Sequence, residues 1–262
     1  MSRDPRSDTW DQLWRTVDDG SQEMHMLHDR MLAVLTDELD VAGLSALEVG
    51  AGRGADSAYL SRLGAKVTVL DFSSEACEQM RGTAARLGAV LDVVQGDATA
   101  MPFPDASFDI IFHQGFLEHF EDPGVVLAEQ CRVLKPGGYL LVDVPQKYTL
   151  YTIRKKIAIA RKTWFGGWET QFSIRRLEKL VNASGFSVVK SYGWGFAGSF
   201  ALLRRPGVRR FWLKTAGRLR SGAKPPEQGG EIDAAAPITG TMGQKRAMLW
   251  VVDNVGVLAQ RN

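Results

Sequence analysis

The chain has 262 residues, of which 45% are hydrophobic and 24% charged, and its formal net charge is +2. That length and apolar share provide for one domain with additions, or two small ones, and exclude wholesale disorder. Its two cysteines, Cys77 and Cys131, exclude a disulfide framework, and with four histidines lacking ligand spacing they argue against a structural zinc site.

The near-neutral total conceals a split. Residues 1–150 hold 12 basic and 24 acidic residues, a net of −12, whereas residues 151–262 hold 20 and 6, a net of +14. The polar start of the chain has no apolar core of a secretory signal, and no apolar stretch reaches the roughly 18 residues of a membrane span. The expectation is a reduced, cytoplasmic, soluble protein.

Leu13, Trp14, Val17, Met24, Leu27, Met31, Leu32 and Leu35 recur at helical spacing, so residues 10–40 are expected to be helical, with a break near Asp18-Asp19-Gly20. Leu44–Val49 is a short apolar run that ends in Gly50-Ala51-Gly52-Arg53-Gly54, and Ala55–Leu63 is a helical pattern closed by Gly64. Lys66–Leu70 is a β-branched run ending in Asp71. Ser73–Leu87 is helical, and Val90–Gln95 is strand-like and ends before Gly96-Asp97. After a loop marked by Pro102 and Pro104, Phe108–Phe112 is a strand and Gly124–Leu134 a helix. The run Lys135-Pro136-Gly137-Gly138 stops that helix, and Tyr139–Val144 is a strand ended by Pro145.

Residues 146–172 mix aromatic with basic side chains. Residues 173–184 are predicted as a helix, 186–192 as a strand and 200–220 as a basic amphipathic helix. Residues 221–237 are a Pro/Gly/Ala-rich loop, followed by a helix near 243–252 and a strand over 254–259. Apolar strands alternating with amphipathic helices predict an α/β fold, a doubly wound parallel sheet covered on both faces. Ligands bind at the carboxyl ends of such strands. The residues found there are Gly50–Gly54, Asp71, Asp97, His113 onward and Pro145 onward.

Three alternating glycines after a strand let the backbone turn sharply and a ligand approach closely. The spacing is Gly-x-Gly-x-Gly, not the Gly-x-Gly-x-x-Gly of dinucleotide dehydrogenases. Glu48 suits a zwitterionic amino-acid tail, Asp71 can accept both hydroxyls of a ribose, and Asp97 can accept from an exocyclic amine. Plainer readings stand beside these: a tight turn for the glycines, a turn residue for Asp97 and core packing for Phe72.

Leu47-Glu48-Val49-Gly50-Ala51-Gly52-Arg53-Gly54, Val69-Leu70-Asp71-Phe72-Ser73, Gly96-Asp97-Ala98, Phe108-Asp109-Ile110-Ile111 and Arg132-Val133-Leu134-Lys135-Pro136-Gly137-Gly138 together resemble a class I S-adenosylmethionine-dependent methyltransferase. The group most similar in look is the small-molecule "type 11" set, which includes quinone-biosynthesis methyltransferases. The resemblance implies a Rossmann-like, mostly parallel seven-stranded sheet with the last strand antiparallel, plus N-terminal helices and helical insertions. It divides the chain into an N-terminal helical cap, 1–40, and a methyltransferase domain, 41–262, with an acceptor-side insertion at 146–172 and a basic insertion at 194–250. It also implies S-adenosyl-L-methionine as cofactor. Glu48, Gly50, Gly52 and Gly54 would line its methionine tail and ribose, and Asp71 would bind the ribose hydroxyls. Phe72 would pack on adenine, Asp97 and Ala98 would meet the adenine edge, and His113 and Gln114 would sit near the methyl donor. No metal is implied.

A neutral oxygen or nitrogen acceptor must lose a proton, so a general base is sought among His113, Glu118 and His119, with His119 favoured over His113. Tyr148, Tyr151, Trp164 and Trp168 are candidates for the acceptor pocket, against the plainer reading of packing. The acceptor is expected to be a small molecule, anionic or lipid-linked, methylated on O, N or C. Segments 153–162 and 204–220 place Arg and Lys around apolar residues. They either lie on an anionic membrane or are ordinary helices whose apolar stripe packs inward and whose basic side is solvated. Nucleic acid is disfavoured. The alternative is a protein that keeps the fold without turnover and binds RNA or a membrane surface.

Overall fold

The computed structural model describes residues 10–11, 14–15, 31–161, 169–194, 238–240 and 252–262. Its strands are β1 (Ser45–Val49), β2 (Lys66–Asp71), β3 (Leu91–Gln95), β4 (Phe108–Gln114), β5 (Leu134–Pro145), β6 (Phe186–Trp194), β7 (Ile238–Gly240) and β8 (Asn254–Arg261). The helices described from end to end are α1 (Ala55–Arg62), α2 (Ser74–Leu87), α3 (Pro123–Val133), α4 (Leu150–Ala160) and α5 (Ile174–Ala183), and residues 10–11, 14–15 and 31–36 are helical as well. The sheet order is β3-β2-β1-β4-β5-β8-β6-β7. Strands β1 to β5 pair in parallel, and β8 runs antiparallel between β5 and β6. The expected seven strands and the reversed last strand are present.

An eighth strand was not foreseen. β7 is three residues long and pairs antiparallel with Ser191–Gly193 at the outer edge of β6. It lies in the basic insertion, where no strand pattern is legible. An open edge of unpaired backbone groups is enough to recruit so short a strand. β4 also runs two residues beyond the predicted end, so His113 and Gln114 belong to the strand rather than to the loop after it. The Lys135–Gly138 run does end α3, but it forms an irregularity inside β5: Phe108 pairs with Leu134, and Ile110 next pairs with Tyr139. The expected helices at 200–220 and 243–252 and the loop at 221–237 lie outside the described residues, apart from Val252.

The sheet buries apolar side chains on both faces, as a parallel sheet requires. On one face Val126, Leu127 and Val133 of α3 and Ile174, Leu177 and Val181 of α5 pack on Leu47, Ile111, Leu140 and Val142. On the other, Met31, Leu32, Val34 and Leu35 join Leu60 of α1 and Met80 of α2 against Ala46, Val69, Ile110 and Phe112. Two carboxylates within the strands are held by hydrogen bonds. Asp109 accepts from Ser45 N at 3.0 Å and from Lys135 Nζ at 2.8 Å, and the fully buried Asp143 accepts from Trp194 Nε1 at 2.7 Å.

Gly256 in β8 is fixed by space. The Tyr192 ring lies across it, and a Cβ there would fall 2.2 Å from Tyr192 Cζ and 2.5 Å from the Val142 carbonyl oxygen. Gly82 lies in the exposed interior of α2 with nothing near its virtual Cβ. The two glycines should therefore respond oppositely to alanine. Gly256→Ala should destabilise by about 1–3 kcal/mol through overpacking. Gly82→Ala should stabilise by roughly 0.5–1 kcal/mol through helix propensity. Urea unfolding of the two variants beside the wild type measures both, and shifts of the same sign would contradict the packing described.

Candidate active site

The glycine turn is built by the end of β1. Gly50 N donates to Leu70 O at 2.8 Å, and Gly50, Gly52 and Gly54 have φ of 68°, 55° and 69°. These angles lie in the left-handed region that favours glycine. Space demands it too, since a Cβ on Gly50 would fall 2.3 Å from the Phe116 ring and one on Gly52 2.7 Å from the Trp14 ring. Gly54 then caps α1. Glu48 is buried, and its Oε2 accepts from Ser57 Oγ at 2.5 Å and from Ser57 N at 3.2 Å, which anchors the first turn of α1.

Asp71 ends β2 beside this turn. Its Oδ1 accepts from Ser73 N at 2.9 Å and its Oδ2 from Gly52 N at 3.4 Å. Burial raises its pKa to about 6, with the N–H donors of Ser73 and Gly52 acting in the opposite direction. The half-buried Phe72 follows, and its carbonyl accepts from Gln95 Nε2 at 3.1 Å. Asp97 lies exposed beyond β3, where its Oδ1 accepts from Thr99 N at 2.7 Å and Thr99 Oγ1 at 2.8 Å. The turn role weighed for Asp97 is thus present. Ala98 is buried beneath it. A buried carboxylate, two glycines with no room for a side chain and the carboxyl edge of the sheet fit the ribose and amino-acid parts of S-adenosylmethionine.

Four N-terminal residues reach this site. Trp14 lies on Gly52, and its carbonyl accepts from Gln79 Nε2 at 2.5 Å. Asp11 accepts from Ser73 Oγ and, at 3.5 Å, from Glu75 N, while Arg15 pairs with Glu75 at 3.3 Å. Trp10 meets His119 edge-on, with ring centroids 4.9 Å apart. In the sequence Trp14 belongs to a helical pattern, and neither Trp10 nor Asp11 is among the candidate site residues. The available signal was two tryptophans four residues apart flanking a carboxylate.

β4 leads into the acceptor side. His113 is fully buried, with its ring 5.4 Å from that of Phe116. Burial lowers its pKa to about 4, so it is neutral. Its nitrogens lack hydrogen-bond geometry, although the equally buried Gln130 amide is near enough to favour the charged form slightly. Gln114 is half-buried at the strand end. A short 3₁₀ turn, Leu117–His119, then presents Glu118 and His119. Both are buried, and neither Glu118 Oε2 nor His119 Nδ1 has a hydrogen-bond partner among the described residues. Burial, helped by the carboxylates of Glu169 and Asp143, raises Glu118 to about 8. Burial lowers His119, against the pull of Glu169.

The segment after β5 folds back onto this turn. Thr170 N donates to Glu118 O at 2.7 Å, Thr170 Oγ1 to Phe120 O at 2.9 Å, and Lys147 N to Phe172 O at 2.7 Å. Lys155 and Glu169 form an ion pair at 3% and 6% exposure. Of the two arrangements expected of 153–157, the inward-packed apolar stripe is not the one found. Lys155 is inside, whereas Ile153 and Ile157 are 53% and 48% exposed, so the apolar stripe does not pack inward. The cause is Glu169, a buried carboxylate that binds the lysine. Lys155 had been read only as one cation of a basic face. Tyr148 is 52% exposed, with Lys147 Nζ 5.4 Å from its ring centroid. Leu150 and Tyr151 open α4, while Trp164, Trp168 and segment 204–220 lie outside the described residues. Among the described residues, no group of three or more His, Cys, Asp or Glu is placed to hold a metal, and no helix is long and apolar enough to cross a membrane.

Residues 47–142 match the family model of a methyltransferase domain. A fatty-acid O-methyltransferase of Mycolicibacterium smegmatis is 34% identical over 150 residues, covering 56% of this chain and 54% of the relative. A ubiquinone biosynthesis O-methyltransferase of Xanthomonas oryzae pv. oryzae is 33% identical over 136 residues, covering 50% and 55%. The chain therefore spans about half the length of the curated relatives it matches. In fold it is similar to a possible histamine N-methyltransferase of Thermotoga maritima, with a TM-score of 0.67, 17% identity and coverage of 98% and 100%. It is also similar to the magnesium protoporphyrin IX methyltransferase of Synechocystis, solved with bound SAH, with a TM-score of 0.59, 16% identity and coverage of 97% and 93%. Residues 47–142 thus carry a methyltransferase domain, on the Rossmann-like fold of the S-adenosylmethionine-dependent methyltransferases.

Proposed function

We propose that the protein transfers the methyl group of S-adenosylmethionine to a small-molecule acceptor, and that the acceptor's ionisable atom meets His119. The observation that carries this reading is the juxtaposition at one sheet edge of Asp71, the Gly50–Gly54 cradle and the buried Glu118-His119 turn. Asp71 holds the ribose hydroxyls, Phe72 and Ala98 flank adenine, and Asp97 meets its amine. When bound, the cofactor supplies an electrophilic methyl on a cationic sulfur, so the protein's work is to align the acceptor and exclude water. Trp10, Trp14 and Phe116 are the water-excluding surfaces.

His119 is the base. It is kept neutral by burial, and its Nδ1 is open to accept a proton from the acceptor. Glu118 retains its own proton at neutral pH. His113 is enclosed behind Phe116 and supports the strand end, next to Gln114.

The acceptor is anionic or lipid-linked in this reading. The exposed Ile153 and Ile157 beside the exposed Arg154 and Lys156 support it, and they also support transient contact with a membrane surface by a protein of the cytoplasm. The curated relatives named above, one for fatty acids and one for ubiquinone biosynthesis, agree with acceptors of that kind.

Two measurements test the reading through proton accounting. Asp71 must be ionised to accept two hydroxyls, and its value of about 6 sets the limit. Cofactor affinity, followed by calorimetry, should be flat above that value and fall about tenfold per pH unit below it. Asp71→Asn should weaken binding roughly 10–100-fold and abolish that slope. A pH slope unchanged in the variant would remove Asp71 from the site.

Glu118 runs from 4.5 in its ordinary state to about 8 when folded. The folded state therefore binds the extra proton between these values, and the stability it contributes is present below 4.5 and lost as pH rises through 8. Glu118→Gln mimics the protonated acid. Relative to wild type it should gain on the order of 2–4 kcal/mol between pH 5 and pH 8.5. Melting curves that shift in parallel at both pH values would show that Glu118 is not held neutral.

A further inference from the structure

A cleft of about 490 Å3 opens where the loop after β5, α4 and the start of α5 meet, and Lys147, Lys156 and Arg176 line it together with Glu121 and Glu169. Two of its cations are held in place. The Arg176 guanidinium donates to Gln171 O at 2.9 Å and stands 5.3 Å over the Phe172 ring, and Lys147 lies over Tyr148. Glu169 is already neutralised by the buried Lys155. Three cations and Glu121 then remain around the cleft, a net charge of +2.

Glu169 also joins the cleft to the reacting centre. It lines the cleft, its charge acts on both Glu118 and His119, and the next residue, Thr170, is bonded to the Glu118 carbonyl. On α4, Ile153, Lys156 and Ile157 fall at i, i+3 and i+4, hence on one face. That face is exposed. A strip of apolar surface therefore runs directly from a cation of the cleft.

We propose that this cleft is the recognition site for the acceptor's anionic group, and that it selects a long-chain carboxylate. The carboxylate lies among Lys147, Lys156 and Arg176, and its alkyl chain lies along Ile153 and Ile157. A monoanion suits a cleft of modest positive charge whose wall also carries Glu121, since a dianion would meet that carboxylate at close range. That the molecule carrying this carboxylate is the methyl acceptor, through another atom, rests on the methyltransferase reading above. Its binding does not.

The test is calorimetric titration of the full chain with dodecanoate and, separately, with dodecanol, in low and in high salt. The expected result is binding of dodecanoate at least about tenfold tighter than dodecanol, with the difference reduced by salt. The charge-reversed variant Lys156→Glu/Arg176→Glu should lose that preference while keeping its melting temperature and its affinity for S-adenosylmethionine. Ile153→Ser/Ile157→Ser should weaken both ligands alike. Equal affinity for acid and alcohol overturns the proposal, and so does a preference that survives charge reversal. Capture by phosphatidylglycerol vesicles without binding of monomeric dodecanoate overturns it as well, because the patch would then be a membrane contact. A chain that binds dodecanoate as described but not S-adenosylmethionine would refute the methyltransferase reading and leave the cleft assignment standing.

Discussion

The parallel register of β1 with β2 is the constraint on which the cofactor half depends. Val49 pairs with Leu70, and the next amide, Gly50 N, continues the ladder to Leu70 O at 2.8 Å. The chain must then leave the sheet at once, because α1 begins at Ala55 and has to cross back over the sheet. Only a turn through left-handed glycines does this in so few residues. As a result Gly52 N faces the carboxylate at the end of β2. A slip of one residue would turn Asp71, and Val69 with it, to the opposite face of the sheet. The cradle and its acid are thus one consequence of strand pairing.

The acceptor half rests on charge instead. Glu118 and His119 on the turn after β4, and Lys155 and Glu169 on the segment that folds back onto it, are all buried. Removing four ionisable groups from water is costly unless they neutralise one another or give up charge. Here both occur. Lys155 and Glu169 pair, while Glu118 keeps its proton and His119 stays neutral. The pair also dictates how α4 is rolled, with its lysine inward and its isoleucines outward.

These two halves differ in how far the sequence discloses them. Strands β1 to β5 are apolar runs bounded by Gly, Pro or Asp, and their order and alternation predict the doubly wound sheet. The residues after them predict Gly50, Gly52 and Asp71 at one edge, since strand ends in such a sheet share a position by topology. His113 and Gln114 were set too late in the chain because β4 continues through polar residues that the apolar pattern does not mark. Lys155 escaped for a related reason. Helical periodicity separates polar from apolar faces but assumes that the apolar one is buried, and one carboxylate fourteen residues away reverses that. The approach of Trp10 and Trp14 to the site is a tertiary contact with no local signature beyond their spacing.

That spacing has a mechanical meaning. Trp14 rests on Gly52, where a methionine tail would lie, and Trp10 rests on His119, where an acceptor would react. They stand four residues apart, and the described residues at both places, 10–11 and 14–15, are helical. Asp11 fastens the same stretch to the start of α2. The same short stretch of chain therefore touches both the glycine turn after β1 and the Glu118-His119 turn after β4. Two turns that lie more than sixty residues apart in the sequence thus share one cover, and neither can be laid bare at Gly52 or at His119 without parting a tryptophan from it.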